Sequence, residues 1–258
     1  MEGKHNVNWK LNKLKSFNYI EKGKGQVIIL LHGLLGRLSN FKHVIDFFSS
    51  KGYKVIIPEL PIYSLPLKAT TVTAFSDFLE DFIEYKNLDN VILVGNSLGG
   101  HIGLIYSKKN PNFVKSLVLT GSSGLYENSM GESYPTRENY EYIKRKTQEV
   151  FYNSKIATKK IVDEVFDTVN NREKLVRTLA IAKSAIRHNM AKDLPKIDLK
   201  TCIIWGKNDI VTPPEVAEEF NSLLPNSDLF WIDKCGHAPM MEHPETFNSI
   251  LIEWLSEN

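Results

Sequence analysis

Apolar and polar positions fall into blocks along this chain, and the period of the blocks changes with position. Residues 14–20 alternate loosely, as an edge strand or hairpin arm does, and Lys22-Gly23-Lys24-Gly25 supplies a turn. Val27-Ile28-Ile29-Leu30-Leu31 is an unbroken apolar run, the pattern of a strand buried on both faces of a parallel sheet. Residues 41–50 read as a short helix closed by Lys51-Gly52, residues 53–57 as a further strand, and Pro58-Glu59-Leu60-Pro61 as the loop that ends it. Val72, Phe75, Phe78, Leu79, Phe82 and Ile83 recur at helical spacing and are expected to face a core. The run Val91-Ile92-Leu93-Val94 stops at Gly95. After Ser97 the chain turns small and then helical, through Gly99, Gly100, Ile102, Leu104 and Ile105, until Asn110-Pro111 stops it. Residues 114–119 form one more strand-like run, closed by Thr120-Gly121-Ser122-Ser123-Gly124.

The pattern then breaks. Between residues 125 and 195 no strand-like run occurs; residues 140–151, 154–169 and 172–190 read as helices, with Ile161, Val162, Val165, Phe166 and Val169 lining one apolar face. Thr201-Cys202-Ile203-Ile204-Trp205 restores the alternation, followed by a helix from near Pro213, a last strand at residues 229–232 and a helix at residues 244–256. Alternating strands and helices imply an α/β fold with a mostly parallel sheet flanked by helices. Residues 1–124 and 196–258 are the expected core, and residues 125–195 an all-helical insertion. An insertion at this point is expected over the C-terminal edge of the sheet, where ligands bind, and so to act as a cap or lid that builds the substrate pocket.

Three positions at predicted strand ends carry candidate chemistry. Gly95-Asn96-Ser97-Leu98-Gly99 has the form Gly-x-Ser-x-Gly, and its setting, strand before and helix after, is that of a nucleophile elbow. The turn would lift the Ser97 hydroxyl above the strand end, and the helix N-terminus behind it suits a developing oxyanion. Alone, the same motif is also a plain Gly/Ser turn. His32-Gly33-Leu34-Leu35-Gly36 follows a strand and reads either as a glycine turn or as an oxyanion loop, in which the N–H of Leu34 points at the oxyanion and His32 braces the loop. Asp209, in Gly206-Lys207-Asn208-Asp209, stands just past a buried strand, where a serine hydrolase needs its acid; the rival role is to cap the helix that begins near Pro213. His237 lies between Gly236 and Ala238 on a loop after the last strand. In a parallel sheet these strand ends share one edge, so Ser97, Asp209 and His237 can converge, in the chain order Ser, Asp, His.

Composition narrows the picture. Among 258 residues, 42% are hydrophobic and 24% charged, ordinary globular values, and the formal charge of +2 gives no reason to expect nucleic acid or a membrane surface as partner. Two cysteines, Cys202 in an apolar run and Cys235 in a loop, are not a disulfide framework. Reduced thiols and a cytoplasmic protein are expected. Met1-Glu2-Gly3-Lys4-His5-Asn6 lacks the apolar region of a signal peptide. No Cys/His cluster has metal-ligand spacing, so no metal and no cofactor are expected. His5, His43, His101, His188 and His243 are assigned to surface or structure, with Arg187 and His188 at the insertion's end placed where they could face a pocket. Lys144, Arg145, Lys146, Lys159 and Lys160 are expected on a solvated face balanced by acids.

From about Lys15 to the C-terminus the chain resembles the α/β-hydrolase superfamily, on His32-Gly33-Leu34-Leu35-Gly36, Gly95-Asn96-Ser97-Leu98-Gly99-Gly100, Gly206-Lys207-Asn208-Asp209 and Gly236-His237. Asn96 beside the serine, and Lys234-Cys235-Gly236-His237 followed by Glu242-His243-Pro244, resemble the meta-cleavage-product C–C hydrolases, which split vinylogous diketones. That resemblance implies two-step acyl transfer on a small-molecule substrate, with Ser97 as nucleophile, His237 as base, Asp209 as its orienter and the N–H groups of Leu34 and Leu98 as oxyanion hole. It makes Asn96, Arg172 and Ala238 candidates for substrate contact: Arg172 is the conceivable counterpart of the cap arginine that binds a substrate carboxylate, and Ala238 stands where those enzymes carry tryptophan. The implied activities are a carboxylesterase-like hydrolysis and, alternatively, C–C bond hydrolysis or a small-molecule receptor on the same fold. Substrate and oligomeric state stay open.

Overall fold

In the computed structural model, residues 11–14, 17–128 and 136–258 are described. The positions at residues 1–10, 15, 16 and 129–135, which include His5, the N-terminal stretch and part of the helical insertion, lie outside them. Among the described residues one eight-stranded sheet has the order β1-β2-β4-β3-β5-β6-β7-β8. Its strands are β1 (Asn12–Leu14), β2 (Phe17–Lys22), β3 (Gln26–Leu31), β4 (Tyr53–Pro58), β5 (Val91–Asn96), β6 (Val114–Thr120), β7 (Thr201–Gly206) and β8 (Ser227–Ile232). β1 and β2 pair antiparallel, as do β2 and β4, and every pairing from β4 across to β8 is parallel. The one run expected at residues 14–20 is thus two strands, β2 extending to Lys22.

β3, β5 and β7 are interior strands, paired on both sides, and are buried almost throughout, as their unbroken apolar runs require. Helices cover both faces. α1 (Lys42–Ser50) and α9 (Pro244–Glu257) pack on one face, where Phe48, Val44, Phe247, Leu251 and Trp254 meet Ile28, Leu30, Ile92, Val94, Cys202 and Ile204. α2 (Val72–Tyr85), α3 (Leu98–Lys109) and α7 (Pro214–Leu223) pack on the other, where Phe75, Leu79, Ile102 and Phe220 meet Ile29, Leu31, Leu93, Leu117 and Trp205. A fully buried side chain of this size stabilises by roughly 1.5–3 kcal/mol, and it is this two-sided burial that makes the sheet a rigid platform for its own C-terminal edge.

Between β6 and β7 the described chain contains no strand. It forms α4 (Tyr140–Glu149), α5 (Lys159–Asn170) and α6 (Arg172–Arg187). The helix expected at residues 154–169 begins only at Lys159, because the Thr158 side chain accepts the N–H of Ile161 and caps it there. Asn171 caps α6 in the same way by accepting from Lys174 N–H. α6 stops at Arg187, three residues before the expected end, where His188 leaves helical geometry. Lys144, Arg145, Lys146 and Lys159 pair with Glu141, Glu149 and Asp163 on the solvent side. Cys202 and Cys235 are free and buried. No helix among the described residues is long and apolar enough to cross a membrane.

Candidate active site

Ser97 is the single residue between β5 and α3, and its backbone takes φ 54° and ψ −120°, a left-handed conformation costly for a residue with a Cβ. Four neighbours hold it. Its N–H donates to Thr120 O at 3.1 Å, and its carbonyl accepts the N–H groups of Gly100 at 3.0 Å, His101 at 3.3 Å and Ser123 at 3.2 Å. The turn is sharp enough that a Cβ on Gly95 would collide with the Gly100 backbone, and one on Gly99 with the Leu31 carbonyl. The serine is therefore pinned to the C-terminal ends of β3, β5 and β6 together. Its hydroxyl makes no hydrogen bond among the described residues.

His237 and Asp209 are brought into direct contact. His237 Nδ1 lies 2.8 Å from Asp209 Oδ2, so the Nδ1–H tautomer donates to the carboxylate and leaves Nε2 as the acceptor. Asp209 is 3% exposed and its carboxylate is saturated: Oδ1 accepts Val211 N–H at 2.8 Å and Thr212 N–H at 3.0 Å, and Oδ2 also accepts the Thr212 hydroxyl at 2.8 Å. The same carboxylate closes the turn ahead of α7 but does not cap that helix, whose N-cap is Pro213 without a side-chain bond. Burial pushes the His237 pKa down, but the charge and hydrogen bond of Asp209, with a further contribution from the Glu127 carboxylate, outweigh it and hold the imidazole above its ordinary 6.5.

Ser97 and His237 do not themselves exchange a hydrogen bond in this structure; what ties their elements together is Asn96. Its Nδ2 donates to Thr120 O at 3.0 Å and to His237 O at 3.1 Å, both amide protons being used on backbone. Asn96, expected among substrate contacts, is thus placed as a brace between the serine turn and the histidine loop. The opposite side of that loop is held by Glu242, in α8 (Pro239–Glu242), whose Oε1 accepts Gly236 N–H at 2.7 Å and Oε2 accepts Asn153 N–H at 3.0 Å. His237 N–H donates to Val150 O at 3.0 Å, so the histidine loop is docked on the segment joining α4 to α5. Burial lifts the Glu242 carboxyl above its ordinary value, with the bonded N–H groups opposing.

The loop after β3 completes the edge. A Cβ on Gly33 would stand 3.2 Å from Ser97 Cβ, so glycine lets this loop lie against the serine. His32 braces it, as expected: Nδ1 donates to Gly33 O at 2.9 Å and Nε2 accepts Leu60 N–H at 3.3 Å, with burial holding the ring neutral. The backbone N–H groups of Leu34 and Leu98 have no partner among the described residues, and Leu98 opens α3, where the helix leaves its first N–H groups free. Two unpartnered donors on the loops flanking Ser97 are the arrangement an oxyanion needs.

The remaining candidates lie elsewhere. Arg172 is exposed at the start of α6 and borders a surface cleft with Leu67, Glu173, Val176 and Arg177. Ala238 is buried in the apolar cluster of Cys235, Met240 and Phe247. His188, from the end of α6, meets His101 in α3, ring nitrogens 3.0 Å apart, and Ser123 Oγ stands 3.4 Å from the other nitrogen of His101. Burial and the neighbouring His188 hold His101 down at about 3. This pair joins the helical insertion to the helix behind Ser97. Sequence reasoning missed Thr212, Glu242 and Glu127. For Thr212 a signal existed, a hydroxyl three residues after an acid at a turn; Glu242 stood in a motif of the resemblance without a role, and Glu127 had no signal, since the partners of both are set by tertiary packing.

Comparison with known proteins agrees with this fold. The family model described as the α/β hydrolase fold matches residues 26–244. The chain is 31% identical over 252 residues to a 2-hydroxy-6-oxo-6-(2'-aminophenyl)hexa-2,4-dienoic acid hydrolase of Metapseudomonas resinovorans, covering 92% of this chain and 87% of that protein. It is 28% identical over 234 residues to Lipase 3 of Moraxella sp. (strain TA144), covering 84% and 73%. Among solved structures, it is similar to an α/β hydrolase enzyme from the metagenome of sediments of the lagoon of Mar Chica, Morocco, at 56% identity and a TM-score of 0.81 over 96% of this chain and 98% of that one.

Proposed function

This chain belongs to the α/β-hydrolase family, and on that premise we propose that it is a serine-dependent hydrolase acting on a small-molecule ester or related carbonyl compound through an acyl-enzyme. One observation carries the reading. His237, held 2.8 Å from the Asp209 carboxylate, is tied by its own carbonyl to the residue preceding a serine with φ 54°. Nucleophile turn, base and orienter thus share one sheet edge with two free N–H donors.

The chemistry follows from those parts. The Ser97 hydroxyl attacks the carbonyl carbon as Nε2 of His237 takes its proton. Oxyanion charge falls on the N–H groups of Leu34 and Leu98, and Asp209 stabilises the imidazolium. Collapse of the adduct expels the leaving group, which takes the proton from His237. A water then repeats the sequence on the acyl-enzyme, giving its proton to His237, and the acid departs as Ser97 recovers the proton. Residues 125–195 act as a cap in this reading, supported by the docking of Val150 and Asn153 on the histidine loop.

A second reading, C–C bond hydrolysis, draws support from the 31% identical relative of that activity. The test compares a short-chain aryl ester with a 2-hydroxy-6-oxo-dienoate, Ser97→Ala serving as the blank. Ester hydrolysis that falls by roughly 10⁴-fold or more in Ser97→Ala is expected. Near-normal turnover by Ser97→Ala overturns the proposal; preference for the dienoate favours the second reading; ligand retention without turnover of either points to a receptor.

A further inference from the structure

A half-buried carboxylate stands beside the triad without a hydrogen-bond or ion-pair partner among the described residues. Glu127 lies on the loop that follows β6. That loop starts against the imidazole, where a Cβ on Gly121 would stand 2.8 Å from His237 Nδ1. Its far end is fastened to the chain just past the acid: Asn128 N–H donates to Val211 O at 2.8 Å, and Asn128 Nδ2 to Ile210 O at 2.7 Å. The segment between these anchors crosses the catalytic edge from His237 to the turn after Asp209, and Glu127 sits within it.

Its carboxylate makes no hydrogen bond or ion pair among the described residues. Asp209, by contrast, is saturated by four donors. The charges of Glu127 and His237 act on each other: burial lifts the Glu127 carboxyl above its ordinary value against the pull of the imidazole, and Glu127 in turn helps raise His237. A free negative charge felt at the base is also felt by whatever occupies the space between base and nucleophile. In a partly desolvated site it repels a substrate carboxylate and tolerates a neutral or cationic group. Arg172, which would offset such repulsion, is exposed in the cleft with Leu67 and Val176.

We propose that Glu127 is a specificity-determining residue that selects uncharged or cationic acyl substrates against those with a carboxylate near the scissile carbonyl. The selection rests on the reading of Ser97 as nucleophile. It acts on substrate binding and on the transition state through charge alone.

The experiment uses the full chain and two esters of equal acyl length, 4-nitrophenyl valerate and 4-nitrophenyl hydrogen glutarate. Rates are taken on the alkaline plateau, where His237 is neutral in every variant, with Ser97→Ala as the blank. The wild type favours the valerate by about tenfold or more, and Glu127→Gln raises the ratio of kcat/KM for the glutarate to that for the valerate by about tenfold, any loss of imidazolium stabilisation being common to both esters. Glu127→Lys carries the shift further in the same direction. Parallel changes in both esters, or a wild type that favours the glutarate, overturn the charge selection while fluorophosphonate labelling of Ser97 leaves the hydrolase reading standing. Absence of both turnover and labelling overturns the hydrolase reading and the selection with it.

Discussion

Replacing Asp209 by asparagine isolates the electronic role of the acid, because the substitution is nearly isosteric and most of the acid's bonds survive it. The amide oxygen still accepts the N–H groups of Val211 and Thr212, so the turn ahead of α7 stays closed. The change falls on the other atom. Oδ2 accepts from His237 Nδ1–H at 2.8 Å and from the Thr212 hydroxyl at 2.8 Å, whereas an amide nitrogen there can only donate. Thr212 adapts by rotating its hydroxyl. The imidazole adapts only by moving its proton to Nε2, which removes the acceptor that Ser97 requires. Charge stabilisation of the imidazolium is lost as well. For triads of this kind the acid-to-amide change costs about 10⁴-fold in kcat, close to 5.5 kcal/mol of transition-state stabilisation. Steady-state kinetics on an aryl ester should therefore show kcat lower by about that factor with KM little changed. The acid limb of the pH profile should also move down, because burial, the influence that lowers His237, remains when the carboxylate's opposing one is gone. A variant within tenfold of wild type, with its acid limb unmoved, would refute the assignment of Asp209.

Other expectations follow from the same contacts. In the wild type, kcat/KM should rise with pH about a midpoint above 6.5, because only neutral His237 accepts a proton and Asp209 holds its proton on past the ordinary value; a midpoint at or below 6.5 contradicts the coupling. Asn96→Ala leaves the carbonyls of Thr120 and His237 without their donor and should cost about 1–3 kcal/mol, roughly 3–10 °C in Tm, with a larger fractional loss in kcat than in KM; calorimetry and kinetics on one preparation separate the two. Glu242→Gln turns one acceptor of the Gly236–Asn153 clasp into a donor facing an N–H, so stability should fall by about 1–3 kcal/mol and kcat with it, whereas Glu242→Asp, which keeps the charge, should recover part of both.

How far the sequence carries depends on the range of the interaction. The elbow was legible because its requirements are local: a strand, a serine in a strained turn, and glycines where β5, α3 and β3 approach too closely for a Cβ. The positions of Asp209 and His237 were legible because a parallel sheet puts every strand end on one edge, and that needs only the order of elements. The start of α5 shifted because a side-chain cap at Thr158 decides it, whereas α6 starts behind its Asn171 cap where the pattern put it. Direction was not legible. Asn96 neighbours the nucleophile in the chain, yet its amide turns away to join backbone 24 and 141 residues distant. Glu127 and Glu242 sit in stretches with no periodic signal, and each gains its setting from a loop that packing alone brings near. The contact of His101 with His188, 87 residues apart, is of the same kind.

The most direct test of the account is intact-protein mass spectrometry after exposure to a stoichiometric aryl fluorophosphonate, with peptide mapping of the product. The account predicts one adduct per chain, on Ser97, absent in Ser97→Ala and formed far more slowly in His237→Ala. An adduct on Ser122 or Ser123 instead, or an unlabelled Ser97 in a preparation that still hydrolyses ester, would contradict it.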